Sequence, residues 1–235
     1  MFIDAQGIAA LRQRIRFRSI LLLFFASLAA SFVVGLLAAA FKAPPFAVSL
    51  ISVTVADLGL IGGYQLLAYD RDWVSLRARF KGVRSEILWA CAAGAVVPIL
   101  IFLAAVKILM WSGIQLPPIP TPNYLLGGAY SLPAVFLVIV LIGPAAEEIL
   151  VRGLLLDWLR QEMPVWPAIL ISALIFGLLH GIALHSGLSG WLQFSYRIAL
   201  GILAAYLAVR YQSLRPSFVL HATNNLVVVI ASAFL

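Results

Sequence analysis

Two adjacent carboxylates carry the first chemical signal in this chain. Glu147 and Glu148 stand side by side in an otherwise apolar stretch, and Arg152 follows the second by four residues. On a helix, positions i and i+4 share a face while neighbours are turned by about 100°, so Glu148 pairs with Arg152 and Glu147 points elsewhere. A carboxylate with no local counter-charge suits general acid or base work. Gly143-Pro144 lies just upstream, where the proline removes one backbone hydrogen bond and kinks the helix or opens it toward a cavity. Further along, Phe176 precedes His180 by four residues and His221 precedes Asn225 by four, so each pair forms one stripe of its helix. Taken singly, these residues read as an ion network and as hydrogen bonds between helices. Taken together on three apolar stretches, a carboxylate, two imidazoles and an amide have the composition of a reaction centre.

The elements that must position them are membrane helices. Of the 235 residues, 63% are hydrophobic and 11% charged, against roughly 45–50% and about 25% in soluble domains. With a mean hydropathy of +1.06, too little polar surface remains to cover a soluble globule, which excludes soluble enzymes, DNA readers and disordered scaffolds. A spanning helix needs about 20 apolar residues, and seven stretches qualify: 19–41, 46–69, 87–111, 131–156, 164–184, 191–209 and 217–235. The fold class is therefore all-α, a polytopic transmembrane helical bundle of seven predicted spans forming a single transmembrane domain over 1–235. The first stretch follows Arg12, Arg14, Arg16 and Arg18 but lacks a small-residue cleavage site, so it reads as a retained helix.

Charge placement orients the bundle. With a cytoplasmic N-terminus, twelve of the sixteen basic residues fall inside: those four arginines, then Arg71, Arg77, Arg79, Lys81 and Arg84, then Arg160, then Arg210 and Arg215. The run Pro117–Pro122 carries no charge and lies outside, as does the C-terminus. The net charge of +7 then speaks of anionic lipid and not of nucleic acid, and the Arg71–Arg84 segment reads as a lipid-facing cytoplasmic loop. Cys91 is the one cysteine and cannot form an internal disulfide.

The three motifs resemble a known family. Glu147–Arg152 reads E-E-x-x-x-R, Phe176–His180 reads F-x-x-x-H and His221–Asn225 reads H-x-x-x-N. In this order on successive hydrophobic helices they resemble the CPBP intramembrane proteases, which include type II CAAX prenyl endopeptidases and bacteriocin-processing or immunity proteins. The resemblance covers about residues 124–235, the expected catalytic core. Family members often show eight spans, and an extra half-helix within 112–130 would bring the count to eight.

What the resemblance implies is an intramembrane endopeptidase. Glu147 would activate water with His180 helping to hold it, and His221 and Asn225 would donate to the oxyanion as the peptide carbonyl becomes tetrahedral. Glu148 and Arg152 would orient the first helix, and Phe176 would pack one turn before His180. The substrate would be a membrane-proximal polypeptide such as a prenylated C-terminus, a leader or a pheromone precursor. In a prokaryote the membrane would be the plasma membrane. Glu147, His180 and His221 also have the composition of a two-His, one-Glu zinc site. No H-E-x-x-H segment is present and Asn is a poor zinc ligand, so a metal-free site with no cofactor is the expectation and zinc the alternative.

Other readings compete. Gly187-Leu188-Ser189-Gly190 reads G-x-S-G, a serine-nucleophile pattern, but is expected to be a Gly/Ser turn in an external loop that also holds His185. Asp57 and Arg197 are expected to pair across helices. Buried Glu and His also build proton-coupled transporters, for which internal repeats would speak, and none is found. A non-catalytic immunity or scaffold protein of the same family would be expected to lack part of the motif set. Straight vertical helices leave one conflict: at about 1.5 Å per residue, Glu147 lies roughly 15–20 Å from the cytoplasmic ends, His180 roughly 24 Å and His221 roughly 9 Å.

Overall fold

The computed structural model describes residues 17–70, 74–114, 132–180 and 187–234, and the regular structure among them is entirely helical. Helix α1 (Phe17–Ala40) is followed by α2 (Pro45–Asp70), the short α3 (Leu76–Arg79), α4 (Ser85–Gly94) and α5 (Val96–Trp111). After the undescribed 115–131 come α6 (Leu132–Glu162), α7 (Val165–Leu179), α8 (Gly187–Tyr211) and α9 (Leu214–Phe234). Within the described residues each expected stretch overlaps a helix, and α4 with α5 forms one apolar run, Ser85–Trp111. Five runs among the described residues are long and apolar enough to cross a membrane: α1, Pro45–Ala68, Ser85–Trp111, α6 and α8. Helix α7 has 15 residues, fewer than the roughly 20 a full crossing needs. The proposed half-helix, the Pro117–Pro122 run, Arg12, Arg14, Arg16, Arg71 and His185 fall outside the described residues.

The helices differ in what they pack with. Helices α1 and α2 meet through small and hydroxylated residues: Ser31 Oγ donates to the Ser52 carbonyl at 2.7 Å, and Ser27 faces Gly59. Without water to expel, membrane helices associate through such close packing and interhelical hydrogen bonds. Phe25, Phe32 and Leu36 stay exposed on α1, an apolar surface suited to lipid. Helix α6 is central instead, touching α1, α2, α7, α8 and α9, with Leu154 and Leu156 fully buried. Helices α7 and α8 approach so closely that a Cβ at Gly201 would lie 3.0 Å from the Ala173 Cα. Only glycine fits there.

The Arg71–Arg84 segment departs from its expected form. Its α3 turn is capped by Ser75 Oγ, which accepts from the Ala78 N–H at 3.3 Å. Arg79 turns inward to Asp157 on α6 and to the Tyr64 hydroxyl on α2. Burial alone would lower its pKa, but Asp157 and Tyr64 more than reverse that and hold it above the ordinary value. Part of this segment is thus built into the bundle, because a guanidinium beside a buried carboxylate gains more there than in headgroup water.

Candidate active site

The site begins with an irregularity in α6. Residues Phe136–Ile142 and Ile149–Leu155 are π-helical and flank the α-helical Gly143–Glu148. In the first π stretch hydrogen bonds reach back five residues, as from the Gly143 N–H to the Val138 carbonyl. The next donor in that register would be Pro144, which has no N–H, so the Ile139 carbonyl loses its backbone partner. Inside a membrane a carbonyl cannot turn to water. Asn225 on α9 meets the need, its Nδ2 donating to the Ile139 oxygen at 2.9 Å. The proline and the asparagine, distant in sequence, are two halves of one device.

The helix ends remove the conflict in height. Helix α6 runs on to Glu162, past the expected end at 156, and a two-residue link leads into α7. Glu147 precedes Glu162 by fifteen residues and His180 follows Val165 by fifteen, so both stand roughly 22 Å from this tight hairpin. His221 is only seven residues into α9, but α9 starts deeper in the bundle: Leu214 abuts Gly153, nine residues up from Glu162. The two offsets add to roughly 24 Å. The three side chains therefore share one level.

At that level they converge. Glu147 Oε2 lies 3.2 Å from His180 Nε2 and 3.7 Å from His221 Nε2. His180 Nδ1 is 2.8 Å from the Phe176 carbonyl, an acceptor, so the proton sits on Nδ1. His221 Nδ1 is 3.0 Å from Glu148 Oε1, which also accepts from Arg152 Nη1 at 3.0 Å. Arg152 Nη2 donates to the Gly201 carbonyl at 3.3 Å, and its guanidinium lies 4.2 Å over the Phe176 ring. That ring also meets both imidazoles. Phe176 is thus a partition between the ion pair and the histidines as well as packing.

Exposure is graded across the cluster. The side chains of Glu148 and Arg152 are 0% exposed and that of His221 2%, while His180 is 17% and Glu147 33% exposed. Access therefore comes from the side of Glu147, whose Oε2 is nonetheless sealed without a hydrogen-bond partner.

Glu147, His180 and His221 offer one oxygen and two nitrogens within 4.8 Å of one another. Both Nδ1 atoms are engaged by acceptors, which leaves both Nε2 atoms toward Glu147. Carboxylates and carbonyls impose the same orientation on histidines that bind metals. The donor set fits a divalent ion such as zinc.

Other expected residues land elsewhere. Ser189 sits buried in the first turn of α8 and not in a loop, because that helix starts at Gly187, before its expected start at 191. Asp57, expected to pair with Arg197, instead lies against the α6 break: its Oδ2 would be 3.3 Å from a Cβ at Gly143, and it has no hydrogen-bond partner. Glu147 is its charged neighbour. The sequence signal was an acidic residue within an apolar span, and only packing shows which helix it faces. Asn224, beside Asn225, accepts from the Tyr196 hydroxyl on α8.

Residues 129–227 match the family described as type II CAAX prenyl endopeptidase Rce1-like. Over this segment the chain is similar to that family. The match contains all three motifs and bears out the resemblance read from them. No curated protein and no solved structure matches the chain significantly. The matched segment begins near the start of α6 and ends within α9, so it takes in the helices that supply the cluster. The family is one of proteases, and the chain is an integral membrane protein by its apolar helices.

Proposed function

We propose that this protein is an intramembrane endopeptidase in which Glu147 activates the hydrolytic water. The observation that carries this reading is the meeting of Glu147 Oε2 with His180 Nε2 and His221 Nε2 at one level, on the open side of an otherwise closed cluster. A water there would give one hydrogen to Glu147 and the other to His180, whose Nδ1 proton is held by the Phe176 carbonyl. As the water attacks, Glu147 takes its proton and later passes it to the departing amine. His221 would donate from Nε2 to the oxyanion, and the second N–H of Asn225 would add a donor. Glu148 holds His221 in the required orientation, and Arg152 holds Glu148.

This mechanism uses no metal. If zinc is bound, Glu147, His180 and His221 hold it, and it would supply Lewis-acid polarisation of water and carbonyl. The substrate is a polypeptide segment entering from the membrane, with prenylated C-termini and leader or pheromone precursors as the classes to test. Seven spans, with the N-terminus and the basic connections in the cytoplasm, complete the proposal, supported by the meeting of segments 74–81, 156–160 and 208–214 at one end of the bundle. The test is hydrolysis of a farnesylated CAAX peptide and of a leader-peptide precursor by purified protein in H₂¹⁸O. Label should enter one new carboxylate with wild type and not with Glu147→Gln. Cleavage that persists in Glu147→Gln would refute the assigned base.

A further inference from the structure

A cavity of about 300 Å³ lies behind the reaction centre, where α6 meets the 74–81 segment and the turn between α8 and α9. The turn is held down by Ser213 Oγ, which donates to the Lys81 carbonyl at 2.9 Å. Four cations line the cavity, Arg79, Lys81, Arg152 and Arg160, and the lining holds one carboxylate, Asp157. That carboxylate is already shared, bound by Arg79 and 3.5 Å from Arg160. Counting Glu148 behind Arg152, two positive charges of the lining remain without a counter-charge.

The donors are as unbalanced as the charges. Arg152 Nε and Arg160 Nε are both buried and have no hydrogen-bond partner. Side chains of Arg152 and Arg160 are 0% and 12% exposed, so bulk water cannot serve both. A buried charged donor left unpaired is among the costlier defects a fold can carry. Beside Gln212 and Ser213 the rest of the wall is apolar, with Leu156, Val209 and Leu214 among it, so the complement is an anionic oxygen cluster attached to an apolar body.

We propose that this cavity binds a phosphate group, that of an anionic phospholipid headgroup. Its place at the basic end of the bundle puts it where headgroups lie, and basic pockets between membrane helices take such groups. Phosphate oxygens accept from arginine forks in paired geometry. Because Arg152 reaches both the cavity and Glu148, the bound group would also brace the rear of the cluster. The site does not depend on the protease reading.

The experiment is native mass spectrometry with thermal unfolding on the purified full chain, using dioleoylphosphatidylglycerol, dioleoylphosphatidylcholine and inorganic phosphate as probes. Phosphatidylglycerol should be retained at least tenfold more tightly than phosphatidylcholine and should raise the unfolding temperature. Lys81→Gln and Arg160→Gln should each weaken retention about tenfold, Arg160→Lys should restore part of it, and Ala78→Glu, which places a carboxylate at the exposed rim, should abolish it. Arg210→Gln, exposed and outside the cavity, should change little. Binding of inorganic phosphate with the same dependence on Arg160 would support the phosphate site and assign free phosphate as its source. Equal retention of both lipids with no phosphate binding, or equal weakening by Arg210→Gln, would overturn the proposal.

Discussion

Helix α6 carries two buried ion networks little more than one turn apart, and they are built in opposite senses. In the upper one Glu148 gathers Arg152 and His221 while Glu147, 33% exposed, has no cation of its own and turns one oxygen to the two imidazoles, so the surplus is an acceptor. In the lower one Asp157 gathers Arg79 and Arg160 and the surplus is cationic. The upper network is closed to 0% exposure at Glu148 and Arg152, the lower one leaves 10–12% at its side chains. Paired charges of the same types thus do different things. What is left unpaired, and where it faces, decides whether a network is suited to hold a proton in motion or an anion at rest.

Mutations on the two networks should separate these roles. The largest effect on turnover belongs to Glu147→Gln, which removes the left-over carboxylate: a loss of about 10²–10⁴ in rate, the range for a general base, with unfolding temperature in detergent unchanged within a degree or so. Comparable loss of stability would mean that Glu147 is structural like its neighbour. Glu148→Gln strands Arg152 without its carboxylate, and removing one partner of a buried pair costs about 3–5 kcal/mol. Its yield and unfolding temperature should fall together with activity, and retention of both would contradict the pairing described.

Asn225→Ala comes next. It orphans the Ile139 carbonyl beside Pro144, worth about 1–3 kcal/mol, and in the proposed mechanism removes an oxyanion donor worth about 10²–10³ in rate. Pairing it with Pro144→Ala, which returns an N–H to α6, should recover stability but not turnover. Recovery of both would mean that Asn225 acts only through the backbone. In the lower network Asp157→Asn should cost about 2 kcal/mol, less than the buried pair because its partners are partly exposed. Turnover per folded molecule should remain within about threefold of wild type, as measured by active-site titration. The smallest expected effect is that of a strong chelator, which should leave activity intact once metal removal is verified by elemental analysis. Loss of activity in step with zinc, restored by zinc, would move Glu147 from base to ligand.

Legibility followed sequence distance. The pairing of Glu148 with Arg152 and the packing of Phe176 on His180 are both i,i+4 relations, and helix geometry alone yields them. Helix ends were less readable. A polar stretch such as Asp157–Glu162 does not reveal whether a helix stops before it or runs through it, and here it stays helical on α6. The inward turn of Arg79 was not legible at all. Its partner is 78 residues away, and an arginine in a basic segment looks the same whether it faces lipid or a carboxylate.

By itself the sequence determined that this is an all-helical membrane protein, that one glutamate of a pair is locally neutralised, and that an amide, two imidazoles and a carboxylate stand on three apolar helices. Those follow from composition and from the 3.6-residue period, which act over a few turns. Tertiary structure alone decided that α9 starts nine residues up α6, so that His221 reaches Glu147, and that Asn225 meets the carbonyl Pro144 leaves bare. It also decided which cations crowd one cavity. These depend on how helices slide and tilt against one another, and that is settled by close contacts such as Gly153 with Leu214 and Gly201 with Ala173, whose partners no local pattern names.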